Sequence, residues 1–210
     1  MTNFLLENGM PLYAITWIFM LPIAATLIVM GRQIVGIKGF GLAMPLLLGF
    51  AFAATGIRLG LSMLLVVVVS AYIIRSILGN FRLLYLPKTA LIITGSALIL
   101  MFIAPFLPYK DNLQFPMATF SFLLIILSLE QFYAFLSERG LRKTVGITIE
   151  TLSLSVIIYF LLTSVAVQGI VIEYPAFTLI AVIVINLFLG RWTGLRLSEY
   201  IRFKDVIFKQ

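Results

Sequence analysis

The feature that most constrains this chain is a succession of seven apolar runs, each near the length of a membrane-crossing helix, separated by short segments that hold most of the charge. They span about 11–30, 40–55, 59–78, 87–107, 115–136, 145–167 and 175–189. A crossing helix needs roughly 20 mostly apolar residues, so 210 residues hold six to eight spans and little else. Composition agrees, with 62% hydrophobic and 11% charged residues against about 45–50% and about 25% in a soluble domain. A water-soluble fold is excluded. The expected fold is an all-α membrane protein, a bundle of about seven transmembrane helices forming a single polytopic domain over 1–210, with an interfacial tail at 190–210.

Punctuation supports the count. Four runs open at or beside a proline (Pro11, Pro87, Pro116, Pro175), where a missing N–H costs a helix nothing. Pro22 and Pro45 fall inside runs instead, which predicts bends in the first and second helices. The second run is short, and is expected to be tilted or broken. Residues 1–10 contain Glu7 and no Lys or Arg, and a full-length run follows them, so the start reads as a first membrane helix rather than a cleaved signal peptide.

Orientation follows from the fifteen basic residues, because Lys and Arg are retained on the cytoplasmic side of short loops. With the N-terminus outside, the inner side receives Arg32, Lys38, Arg75, Arg82, Lys88, Arg139, Arg142, Lys143, Arg191, Arg196, Arg202, Lys204 and Lys209. Only Arg58 and Lys110 face outward. The C-terminus is then inside, and an even number of spans breaks the alternation. The same bias explains the net charge of +7 without nucleic acid, which is not an expected partner. Cysteine and histidine are absent, which removes thiol nucleophiles, disulfides, the usual zinc ligands and a Ser-His-Asp triad. No catalytic residue, metal site or cofactor is predicted.

One internal similarity stands out. Gly56-Ile57-Arg58-Leu59, between the second and third runs, resembles Gly140-Leu141-Arg142-Lys143, between the fifth and sixth. An offset of three spans reverses direction across the membrane, so a true repeat would be inverted, as in transporters. Chance likeness of two short turns is the other reading. Gly41, Pro45 and Gly49, with Gly56 and Gly60, are small residues at four-residue spacing that allow close helix contact.

An ionisable group at the centre of a membrane helix costs something like 2.5–3.5 kcal/mol on insertion scales, so each needs a reason. Glu130 and Glu150 qualify, the latter among Thr144, Thr148, Thr151, Ser153 and Ser155. Arg75 and Asn186 are expected at comparable depth, and the four together form a candidate intramembrane polar site. A structural reading stands beside this: each glutamate pairs with a nearby cation or snorkels, and fixes packing. Arg142, Lys143, Arg191, Arg196 and Arg202 are candidate contacts for a partner or for membrane lipid, since Trp192 and Tyr200 beside arginines suit an interfacial segment.

Several segments carry a family resemblance. Gly31-Arg32-Gln33-Ile34-Val35-Gly36-Ile37-Lys38-Gly39-Phe40-Gly41 leading into Met44-Pro45, the segment Leu83-Leu84-Tyr85-Leu86-Pro87-Lys88, and the tail from Gly190 to Phe203 resemble the seven-helix membrane domain usually fused to an inactive transglutaminase-like domain. The second to sixth runs are similar, more distantly, to the C-type membrane subunits of poly-γ-glutamate capsule synthesis. The resemblance implies a noncatalytic subunit of a bacterial cytoplasmic (inner) membrane. Its implied partner is a cytoplasmic ATP-dependent amide-bond ligase, in the synthesis or export of a peptide or poly-amino acid. No transglutaminase-like domain lies within the 210 residues, so the chain is expected to be stand-alone, trimmed from a longer fusion, or served by that domain on another chain. A small secondary transporter coupled to protons or cations through Glu130 and Glu150 is the alternative. An intramembrane enzyme ranks last, because its acid–base work would fall to two glutamates.

The charge distribution makes a direct prediction. Reporters fused after Lys143 and after Gln210 should be cytoplasmic, and one inserted at Lys110 should be external. A C-terminal reporter active only outside would overturn the arrangement.

Overall fold

The computed structural model describes residues 7–79, 81, 83–106 and 114–191. Among them, helices and short connections make up the structure, with no strand. Helix α1 is Leu12–Met30, followed by a π-helical turn at Gly31–Val35. Helix α2 is Ala43–Thr55, α3 Ile57–Leu78, and α4 Tyr85–Ile103, which tightens into a 3-10 turn at Ala104–Phe106. Then come α5 Gln114–Arg139, α6 Leu141–Thr163, α7 Val165–Glu173 and α8 Pro175–Gly190. Each of the seven expected runs contains a helix.

Among the described residues five helical segments are long and apolar enough to cross a bilayer: Leu12–Val35, Ile57–Leu78, Tyr85–Phe106, Thr119–Leu136 and Leu141–Thr163. The pair α7 and α8 is bent by 104° and makes a sixth if taken as one broken span. Helix α2 has 13 residues, about 20 Å at 1.5 Å per residue, which is shorter than the hydrocarbon core. Large apolar side chains point outward, among them Phe102 at 78% exposure and Phe106 at 87%. Such surface is stable only against lipid or another apolar partner.

Three boundaries differ from the sequence expectation, each for a local reason. Pro45 lies in the first turn of α2 rather than inside a longer helix, where no intrahelical N–H is lost. The sixth run begins at Leu141 rather than near 145, so Arg142 and Lys143 occupy the first turn of α6 instead of a loop. It also ends early. Ser164 leaves the helical region at φ −70°, ψ 113°, and the carbonyl of Leu162 next to this break accepts from Gln168 Nε2 at 2.7 Å. The segment expected to connect the last two runs is then helical as α7, until Tyr174 (φ −124°, ψ 57°). Pro175 disfavours helical geometry in the residue before it and opens α8 at its first position.

The chain divides into two compact units: residues 1–46 with 150–210, and residues 47–149. In the first, α1 packs against α7 and α8. Ile15, Phe19, Met20, Ala24 and Ile28 are its buried side, at the spacing of one helix face. Thr16 and Thr26 lie among them and return their hydroxyls to the carbonyls of Leu12 and Pro22 at 2.9 and 2.8 Å. In the second unit α3, α4 and α5 pack together. A Cβ on Gly60 would lie 2.5 Å from Phe52 Cδ1, and one on Gly95 would lie 2.6 Å from Ile74 Cδ1. Ser121 Oγ adds a hydrogen bond from α5 to the carbonyl of Ala51 at 2.9 Å.

Two joints of the second unit consist of one residue each: Gly56 between α2 and α3, and Gly140 between α5 and α6. Both glycines have positive φ, 82° and 76°, a conformation that strains any residue with a Cβ. Each carbonyl starts the next helix, accepting from Gly60 N at 2.9 Å and Thr144 N at 3.2 Å. A one-residue joint of this geometry demands glycine, which is sufficient to make the two turns alike without a repeat.

Three substitutions separate these effects. Gly60→Ala should lower the unfolding midpoint in detergent most, because Phe52 must move. Gly140→Ala should cost about 1–2 kcal/mol from φ alone, as nothing lies within 4 Å of its added Cβ. Helical Gly146, equally unobstructed, should accept alanine with no loss. Wild-type stability in Gly140→Ala would refute the turn conformation.

Candidate functional site

The π-helical turn ends at Gly36, which takes a left-handed φ of 89°. Backbone N–H groups of Gly36 and Ile37 return to the Gly31 carbonyl at 3.1 and 3.3 Å. From there the chain runs non-helically to α2, and the N–H groups of this stretch need partners outside a helix. Helix α6 supplies them. Glu150 Oε2 accepts from Lys38 N–H, and the adjacent Thr151 Oγ1 accepts from Phe40 N–H at 2.9 Å. Phe40 and Thr151 are buried. A Cβ on Gly39 would come within 3.1 Å of Thr151 Oγ1, so glycine between the two bonded residues lets the linker lie flat on the helix.

This gives Glu150 a definite local task. The bond is accessible to solvent, so its net contribution is about 0.5–1.5 kcal/mol, because water can replace a lost partner. Asn186 on α8 donates through Nδ2 to Thr26 Oγ1 on α1 at 2.6 Å and to its own helix at Val182 O, 2.9 Å. Thr26 passes its hydroxyl proton on to Pro22 O, completing a short polar chain between two packed helices. Both residues belong to the first unit.

Arg75 and Glu130 belong to the second unit. Arg75, on the last turn of α3, sets its guanidinium carbon 5.8 Å from the centre of the Tyr133 ring, within cation–π range. Glu130 lies on the backbone of α5, one turn before Tyr133; its side chain is outside the described residues, as are Arg196 and Arg202. Arg142 and Lys143 are exposed, and Arg191 is exposed at the end of α8. No group of three or more acidic, histidine or cysteine side chains that could hold a metal converges among the described residues.

Sequence reasoning marked Glu150 and Asn186 by their polarity at membrane depth but did not find their partners. The linker donors and Thr26 carry weak signals: a glycine-rich interruption between two apolar runs implies unpaired N–H groups, and a threonine four residues after Pro22 suits a local carbonyl. Tyr133 gave no signal, being one tyrosine within an apolar run.

A family model described as seven transmembrane helices usually fused to an inactive transglutaminase matches residues 10–207, from before α1 to beyond α8. The chain belongs to this family. It is accordingly a multi-pass membrane protein, and membership covers every helix described above. No curated protein and no solved structure matches the chain.

Because Lys38 donates to an oxygen that glutamine also presents, Glu150→Gln should unfold in detergent close to wild type, while Glu150→Leu should lose about 0.5–1.5 kcal/mol. Equal stability of the Gln and Leu variants would show that the Lys38 bond is not structural.

Proposed function

We propose that this chain is a noncatalytic membrane scaffold that holds a cytoplasmic ATP-dependent amide-bond ligase at a bacterial inner membrane, in the synthesis or export of a peptide or poly-amino acid. The observation that carries the noncatalytic part is the engagement of Glu150, the carboxylate best placed for intramembrane chemistry, by a backbone N–H of the linker. A carboxylate committed to fixing backbone is poorly suited to cycling between protonation states. Family membership supports the same reading. A module usually accompanied by an inactive transglutaminase keeps a fold whose remaining use is binding and positioning, and such a domain on another chain is a second partner.

The ligase reading rests on the more distant resemblance to capsule-synthesis subunits and on basic residues at predicted cytoplasmic helix ends. Arg142 and Lys143 open α6, and Arg191 follows α8. Exposed cations of this kind contribute to association and orientation more than to stability. The glycine joint at 140 fixes the predicted cytoplasmic ends that it flanks, as a docking platform requires.

Co-purification tests the proposal. Neutralising Arg191, Arg196 and Arg202 together should reduce the ATP-dependent amide-forming activity recovered with the chain by about tenfold or more, with the helices still folded. Unchanged recovery removes docking from the tail. Proton-driven uptake by the purified chain in liposomes, abolished in a folded Glu150→Gln variant, would replace the scaffold with a transporter.

A further inference from the structure

Within the second unit, a cavity of about 60 Å³ is lined by Arg75, Tyr85, Lys88, Thr89, Ile92 and Tyr133. By the usual volume per site this holds on the order of four waters or one tetrahedral oxyanion. Its chemistry is one-sided. Arg75 comes from the last turn of α3, and Tyr85, Lys88 and Thr89 from the first turns of α4. The N-terminus of α4 has no side-chain cap and no acidic residue in its first turn, so it presents positive helix-dipole charge there. Lys88 at such an end is electrostatically unfavourable without a counter-charge.

Two polar atoms of the lining are buried without a hydrogen-bond partner: Arg75 Nη1 and Tyr133 Oη. Tyr133 is only 3% exposed, and a buried, unpaired hydroxyl or guanidinium nitrogen is costly. Thr89 has donated its own proton to Tyr85 O at 2.9 Å, which leaves its oxygen as an acceptor. The remaining side-chain donors of the lining are Arg75, Lys88, Tyr133 and the half-exposed Tyr85, from three helices.

We propose that this cavity is a binding site for a phosphate group, held by Arg75 Nη1, Lys88 Nζ and Tyr133 Oη–H. An oxyanion supplies what the site lacks, negative charge and several acceptor oxygens. Arg75 lies about 5 Å from the end of α3 and Tyr133 about 9 Å from the end of α5, at 1.5 Å per residue. Both residues are close to helix ends, within reach of either an anionic lipid headgroup or a small soluble phosphate compound. This assignment is independent of the ligase proposal.

The test uses the full chain in a phosphate-free maltoside detergent, reading the unfolding midpoint and ³¹P line broadening. Inorganic phosphate should stabilise wild type relative to chloride at equal ionic strength, or phosphatidylglycerol added to the micelles should do so. The first result identifies a soluble phosphate source and the second a lipid headgroup. Tyr133→Phe removes a hydroxyl that has no partner, so it should fold as wild type without ligand and bind about tenfold more weakly. Arg75→Gln and Lys88→Gln should each reduce binding by at least as much, while Arg58→Gln, at the other end of α3, should not. Binding that is unchanged in Tyr133→Phe and Arg75→Gln overturns the proposal. So does the lack of any phosphate- or lipid-dependent effect, which would make this a water pocket. Phosphate binding seen only in Glu130→Gln would also overturn it, by showing that Glu130 neutralises Arg75.

Discussion

A backbone N–H or C=O removed from water must find a partner, and several helix interruptions among the described residues supply one. Helices keep their own bonds internal, so the sensitive places are where the helix stops. At 36–42 the linker gives two N–H groups to Glu150 and Thr151. At Ser164 the Leu162 carbonyl is taken by Gln168. Gly56 and Gly140 shorten two connections to a single residue whose carbonyl immediately enters the next helix. At Tyr174 the break is closed on both sides, with Tyr174 N–H given to Ile170 and Thr178 N–H to Tyr174.

Most polar side chains inside the apolar runs are consumed by this work. Thr16, Thr26, Thr55, Ser70, Ser128, Thr144 and Ser155 bond to carbonyls three or four residues back. Asn186 ties α8 to α1 through one of them. Among the described residues little then remains available for chemistry or recognition, and this is what supports the proposed scaffold against a transporter. A coupling carboxylate needs an environment that changes with its protonation. Glu150 instead sits against a backbone donor 112 residues away in sequence, where loss of its charge weakens the attachment of the α1–α2 linker.

Gln33, Ser96, Arg75 and Tyr133 depart from that pattern, each keeping a buried polar atom unpaired, and of these Arg75 and Tyr133 line the same cavity. A folded protein tolerates few such atoms, and they concentrate where a ligand, ion or water completes the structure. The second unit thus combines close packing at Gly60 and Gly95 with one under-satisfied, positively charged cleft at the helix ends.

The amino-acid sequence by itself determined the class of the protein, the number of apolar runs and their approximate centres, because the transfer of about 20 apolar residues into lipid depends on composition along the chain alone. It also marked Glu150 and Asn186, since the cost of burying polar groups is legible wherever depth is. It did not reach the ends at Leu141 and Thr163, where a one-residue joint and a backbone break at Ser164 replaced the expected loops. Partners were decided only by the tertiary structure. Which acceptor meets the Lys38 N–H, which hydroxyl meets Asn186 and which ring lies under Arg75 depend on the rotation and approach of helices distant in sequence. Hydrophobicity fixes how deep a residue lies in the membrane, and only packing fixes which neighbour it faces.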